Sequence, residues 1–168
     1  MLKPCPSRWF YFAEFLSIVG LLAFAYYLEF YQGLLPCALC EAQRLVFALL
    51  GVLFLLTSIL PSKKCIQIFM NLMISLIALF GTVFAARQVW LQYVPDSVAE
   101  GSCDVSLQYM IKIMPWSDVL LNLLLGGPEC AKITWQFLHL SIAAWALLWF
   151  LGFFLLALWQ MLGWMLRR

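Results

Sequence analysis

Residues 9–30 read WFYFAEFLSIVGLLAFAYYLEF, and whether this run is kept or removed decides how often the chain crosses a membrane. A cleavable secretory signal has an apolar centre of roughly 7–15 residues. This run is longer and carries Glu14 and Glu29 near its ends. It reads as a retained span, with a signal-anchor role open to it. A helix of about 20 residues crosses the ~30 Å hydrocarbon layer, and three further stretches are long enough: about 42–60, stopped by Pro61, about 65–86, and about 142–162. The expected fold is therefore an all-α membrane protein, an antiparallel four-helix transmembrane bundle forming one domain over 1–168. Its external loops would cover about 31–41 and 87–141.

Composition agrees. The chain of 168 residues is 65% hydrophobic and 11% charged, against about 45–50% and roughly 25% in soluble domains. The net charge of +2 gives no reason to expect a nucleic-acid partner, and the lipid bilayer is the expected surroundings. Lys and Arg near span ends stay on the cytoplasmic side. Lys3 with Arg8, Lys63 with Lys64, and Arg167 with Arg168 have no acidic neighbours, and four spans put all three pairs on one side. Both termini are then cytoplasmic and the long loop is external. Trp9, Tyr26, Tyr27, Tyr31, Trp90, Tyr93 and Trp145 flank the runs, where amphipathic rings favour the headgroup level.

This topology sorts the six cysteines. Cys5 and Cys65 fall on the cytoplasmic side and read as free thiols, small apolar fillers or incidental residues. Cys37, Cys40, Cys103 and Cys130 fall outside, where an oxidising compartment such as the bacterial periplasm lets disulfides persist. Four cysteines allow three pairings, of which Cys37–Cys40 with Cys103–Cys130 is the most economical. The second bridge would close a loop of about 27 residues and stabilise it by roughly 3–4 kcal/mol. Two bridges could serve only as staples of an external loop. A Cys₄ zinc site is set aside, because the second pair is spaced far wider than zinc knuckles, and no metal is expected.

Cys37 and Cys40 lie in LLPCALCEAQR, residues 34–44. Pro36 suits a position at or before a helix start, which puts both cysteines in the first turn of the second span. Unpaired N–H groups and the positive end of the helix dipole favour a thiolate there. Arg44 follows Cys40 by four residues and shares its helix face. Its charge can stabilise a thiolate or a reduced, anionic acceptor, or it can simply anchor the helix. One dithiol at headgroup depth and a second on a long loop form a relay from a soluble thiol partner to a lipid-soluble acceptor.

In these residues the chain resembles the bacterial disulfide bond formation protein B (DsbB) family over nearly its whole length. The resemblance rests on PCALCEAQR opening the second span, ARQVWLQ ending the third, the loop pair Cys103 and Cys130, and CAKITWQFLHLSIAAW leading into the fourth. Vitamin K epoxide reductase-like proteins share a four-helix redox core, but their Cys-x-x-Cys follows the loop pair, and here it precedes it. The resemblance implies an inner-membrane enzyme that reoxidises a periplasmic DsbA-like oxidase of thioredoxin fold. Electrons would pass to membrane quinone, ubiquinone or menaquinone, in support of disulfide formation and protein folding. By the same resemblance Cys103 forms the mixed disulfide with the partner and Cys130 is its mate. Cys37 and Cys40 are the quinone-side pair, with Cys40 the thiolate against quinone, and Arg44 is associated with quinone binding. The chain departs from the family's FLGLSIPxW at His139 and Ala143, and Gln43 stands where a carboxylate often precedes the arginine.

Five smaller expectations concern residues outside that set. Glu29 or Glu41 could relay protons to a reduced quinone, though interfacial solvation is the simpler role, and Glu14 should snorkel toward the interface. Arg87 and Gln88 should face the outer interface, where quinone contact is open to them, though anchoring is the simpler role. Residues 117–127, SDVLLNLLLGG, should form a short interfacial helix capped by Ser117 and stopped by glycine. His139, the only histidine, stands at a variant position and is expected to have no redox role.

Overall fold

The structure is a computed structural model that describes residues 8–33, 36–61, 63–94 and 107–166. Cys5 and Cys103 lie outside the described residues. Four long helices, α1 (Arg8–Gln32), α2 (Ala38–Ile59), α3 (Lys64–Tyr93) and α7 (Ile142–Met165), are each long and apolar enough to cross a membrane. Less than half of each span is buried inside the bundle. Outward residues such as Leu45, Val52, Leu76 and Leu155 are apolar and exposed, as a lipid-facing surface requires.

The helices run antiparallel, and side-chain contacts give their registers. On α1 and α2, Ser58 Oγ at one end donates to Arg8 O, while Gly51 packs on Ile18 midway. On α3 and α7, Lys64 Nζ donates to Met165 O, and Gly81 lies so close to the Phe150 ring that any Cβ would collide with it. The core between them stacks Phe47 on Phe150, with ring centroids 4.0 Å apart, and Phe54 beside Phe153 at 5.4 Å.

Local chemistry sets the helix ends. Gly33, at φ 66°, stops α1 in the left-handed conformation that glycine adopts freely. Pro36 and the N-cap residue Cys37 start α2. Ser141 caps α7, its Oγ accepting from Ala144 N at 3.3 Å while donating to Gln92 Oε1 at 2.6 Å. Without the proline at Ala143, entry to α7 is set by this capping serine tied to α3. Hydropathy ends the third span near Ala86, but α3 continues to Tyr93, because no helix breaker occurs before Pro95.

At the cysteine-bearing end three short helices, α4 (Leu107–Ile113), α5 (Trp116–Leu125) and α6 (Pro128–Ala131), cover the bundle. Val119 and Leu123 of α5 are buried, while Trp116, Leu120 and Leu121 are exposed. Pro115 rather than Ser117 accepts the first backbone bonds of α5, from Asp118 N and Val119 N, so Ser117 lies one step inside the helix and is not its cap. The expected glycine stop is Gly126, at φ 73°. Two short strands follow, β1 (Gln136–Phe137) and β2 (Leu140–Ser141), in a hairpin pairing Gln136 with Ser141 and Phe137 with Leu140. Its turn residues, Leu138 and His139, both have positive φ, 51° and 63°.

Candidate functional site

The site is built where the first turn of α2 meets α3 and α6. Cys37 precedes α2 with extended backbone, and its Sγ accepts from Cys40 N at 3.4 Å. Helical geometry therefore folds Cys40 back over Cys37, whose thiol donates to Cys40 Sγ at 2.9 Å. The two sulfurs are unbridged. Cys130, carried by α6 and only 3% exposed, hydrogen-bonds with Cys37. That bond, the bond to Cys40 and burial together push the Cys37 thiol well above the ordinary cysteine range. Three of the four cysteines expected to act together are thus in one cluster; the Cys103–Cys130 bridge involves a residue outside those described. Cys65 stands apart, exposed at the far end of α3.

A buried amide pair completes the sulfur cluster. Gln88 Nε2 donates to Cys40 Sγ at 3.1 Å and to Cys37 Sγ at 3.5 Å. Its Oε1 accepts from Gln43 Nε2 at 2.7 Å. Gln43 and Gln88 are 5% and 4% exposed, so the expectation that Gln88 faces the outer interface is overturned. The signal lay in periodicity. Gln67, Asn71, Ile74, Ala78, Gly81, Ala85 and Gln88 are all buried on α3 at steps of three and four, one helix face. Ending the helix near Ala86 hid the last member. Arg87, one residue earlier, instead donates to Leu125 O at 3.1 Å and ties α3 to α5.

On the other side of Cys40 lies a cavity of about 580 Å³. Cys40, Gln43 and Arg44 of α2 form one wall, Ala25 and Glu29 of α1 another. Trp135 and Phe137 of the hairpin, with Trp145 and Trp149 of α7, close it with flat apolar surface. Arg44 does more than anchor its helix. It forms an ion pair with Glu29, donates to Ala25 O at 3.1 Å, and lies over the Tyr26 ring at 5.1 Å. Of the two carboxylates considered for proton relay, only Glu29 lines the cavity. Glu41 accepts from Leu107 N at 2.9 Å, at the start of α4, and so holds the loop. Glu14 is buried, not snorkelling, and accepts from Gln160 Nε2 at 3.1 Å. His139 is exposed at the hairpin turn.

The volume and lining suit a planar, mostly apolar ligand with a polar head, since small-molecule sites run to roughly 300–1,000 Å³ with a few placed polar groups. A quinone ring has that character. Aromatic faces are available to stack it, and Arg44 and Gln43 could bond its oxygens next to a sulfur.

Comparison with known proteins bears on the whole chain. The chain is 41% identical over 148 residues to the disulfide bond formation protein B of Hahella chejuensis, covering 88% of each protein. It is 39% identical over 161 residues to that of an Azoarcus species, covering 95% of each. A third relative, from Xylella fastidiosa, is 39% identical over 86% of this chain and 83% of its own. No solved structure matches. The family description "Disulfide bond formation protein DsbB" fits residues 7–160, which takes in three whole spans, most of the fourth, and Cys37, Cys40, Cys103 and Cys130, and the chain belongs to the DsbB family.

Proposed function

We propose that this protein is a thiol:quinone oxidoreductase of the bacterial inner membrane, which reoxidises a periplasmic DsbA-like dithiol protein and passes the electrons to ubiquinone or menaquinone. The observation that carries this reading is the position of Cys40, whose sulfur touches the other cysteines on one side and lines an apolar cavity beside Arg44 on the other. The basic residues Arg8, Lys63 and Lys64 at the opposite end of the bundle support a periplasmic position for the site.

Electrons enter at the loop pair. A thiolate of the reduced partner attacks the Cys103–Cys130 disulfide at Cys103, freeing Cys130. The sulfur that lies against Cys130 is that of Cys37, so attack on an oxidised Cys37–Cys40 bridge occurs at Cys37 and expels Cys40 as thiolate. Exchange favours the better leaving group, and Cys40 is the sulfur that accepts hydrogen bonds from both Cys37 and Gln88. Arg44, fixed by Glu29 and Ala25 O, holds positive charge where the reduced acceptor gains negative charge. Quinone supplies the two-electron, two-proton sink. The walls of Trp135, Trp145 and Trp149 exclude water from the sulfur while electrons leave it.

Purified protein in detergent, given a reduced thioredoxin-fold partner and either quinone, should reduce quinone steadily. Cys40→Ser and Cys103→Ser should each abolish this, a fall of at least about 10³-fold when a nucleophile is removed. Absence of turnover in the unmodified protein with both quinones would replace the relay with two bridges that only staple the loops.

A further inference from the structure

We propose that Gln88, aimed by Gln43, holds the Cys40 sulfur in its reduced, anionic form and thereby sets how readily the Cys37–Cys40 pair is reduced. The inference deepens the reading above, since it rests on Cys40 being the sulfur that faces the acceptor.

Hydrogen-bond polarity makes the argument. An amide can present its oxygen or its nitrogen to a neighbour, and Gln43 removes the choice. Its Nε2 donates to Gln88 Oε1 at 2.7 Å, so Gln88 Nε2 must point toward the sulfurs, where it lies 3.1 Å from Cys40 and 3.5 Å from Cys37. A thiolate is a pure acceptor with strong demand for donors, whereas the sulfurs of a disulfide accept weakly. The same two N–H bonds therefore stabilise the dithiol state much more than the disulfide state. Burial of both amides keeps water from competing, and bonds to ionised groups gain most in such surroundings.

A neutral donor suits both redox states. When the pair is oxidised, an amide leaves only a weakly satisfied N–H, whereas a lysine at the same place would leave a buried unpaired charge. The other charged and titratable groups around Cys40 are engaged elsewhere. On α2, Arg44 pairs with Glu29 of α1, and Glu41 bonds Leu107 N. On α3, Arg87 bonds Leu125 O. Cys37 and, from α6, Cys130 belong to the cluster itself. Among the described residues the hairpin and α7 bring no charged side chain to the cavity. Gln88 touches the reacting sulfur and is a catalytic residue on this reading; Gln43 is a positioning residue.

In the reduced exchange no atom of Gln88 transfers. Two electrons and the Cys37 proton leave the dithiol as the S–S bond forms, and one further proton from the aqueous side completes the quinol.

The test uses the full chain in detergent, without quinone or partner. Gln88→Met keeps the length and removes the donors, and Gln43→Met keeps Gln88 but frees its orientation. Iodoacetamide labelling of Cys40 against pH, read by mass spectrometry, should shift its midpoint up by about one unit in Gln88→Met, and the equilibrium constant for reducing the pair with glutathione should fall about tenfold, the worth of a bond to a charged group. Gln43→Met should move both in the same direction by less. Lower thermal stability in both variants with neither quantity moved would assign the pair to packing and overturn the proposal. Quinone turnover of the unmodified protein is measured separately. Intact turnover beside unmoved profiles sinks the role of Gln88 alone, whereas absent turnover beside shifted profiles sinks the relay and leaves the sulfur chemistry standing.

Discussion

Cys37 and Cys40 are three residues apart and have different fates because their partners differ. Cys37 gives its proton's hydrogen bond to Cys40, and its bond with Cys130, that with Cys40 and then burial raise it above the usual cysteine range. A raised thiol stays protonated through neutral pH and becomes nucleophilic only as pH climbs past its elevated midpoint. In reduced protein near pH 7, iodoacetamide should therefore modify Cys40 at least about tenfold faster than Cys37, since only thiolates react. Peptide mass spectrometry after brief labelling reads the ratio, and equal labelling would show that Cys37 is not held protonated. At this scale the sequence carried part of the site. A spacing of four made Arg44 a neighbour of Cys40, and two cysteines before an apolar run marked a reactive helix start. The Arg44–Glu29 pair was not legible, because it forms across two helices whose register only the folded structure sets.

The elements that carry the loop cysteine depend on Gly126. Its φ of 73° is costly for any residue with a Cβ, and a Cβ there would overlap Leu91 Cδ1, with Leu39 Cδ1 at 3.7 Å. Gly126 thus lets the end of α5 rest on α2 and α3, and α6 follows with Cys130. Gly126→Ala should destabilise this dock by roughly 1–3 kcal/mol, slow exchange between the loop and Cys37, and leave the spans folded. Rapid-quench thiol trapping beside far-UV circular dichroism separates the two effects, and unchanged exchange would mean that the dock does not place Cys130. The glycine stop was readable from sequence, and so was the existence of α5. The hairpin was not: its two-residue strands carry almost no period, and Leu138 and His139 take positive φ without the glycine or asparagine that usually announces such a turn. The extension of α3 was missed for a different reason. Hydropathy detects the bilayer's edge rather than the helix's end, and α3, at 30 residues or about 45 Å, outruns the hydrocarbon.

Taken whole, the molecule has polar interiors at both ends and an aromatic core between them. The count of spans was legible because each apolar run is long. The buried polar layer away from the cysteines was not, since a hydropathy window averages single polar residues into their apolar neighbours. There Glu14 meets Gln160, and Asn71 Nδ2 donates to Tyr11 Oη at 2.9 Å and to Gln67 O at 2.8 Å. Four oxygens of this layer, Glu14 Oε2, Gln67 Oε1, Asn71 Oδ1 and Gln160 Oε1, are buried with no donor among the described residues. The layer has too many acceptors, and with no basic partner beside it, ionising the carboxyl group among them would be costly in such surroundings. Glu14→Gln conserves shape, removes the ionisable group and adds two N–H donors, so it should stabilise the protein by about 1 kcal/mol. Glu14→Ala supplies no donor, strips Gln160 of its acceptor and leaves a gap, and should destabilise it by a similar amount or more. Quinone turnover should be unchanged in Glu14→Gln, because Glu14 lies seven residues, about 10 Å of helix, from Leu21, where the cavity lining on α1 begins. Thermal unfolding in detergent orders the three proteins. If Glu14→Gln loses as much stability as Glu14→Ala, the carboxylate itself is what the layer requires, and the acceptor excess is met by a donor other than a side chain.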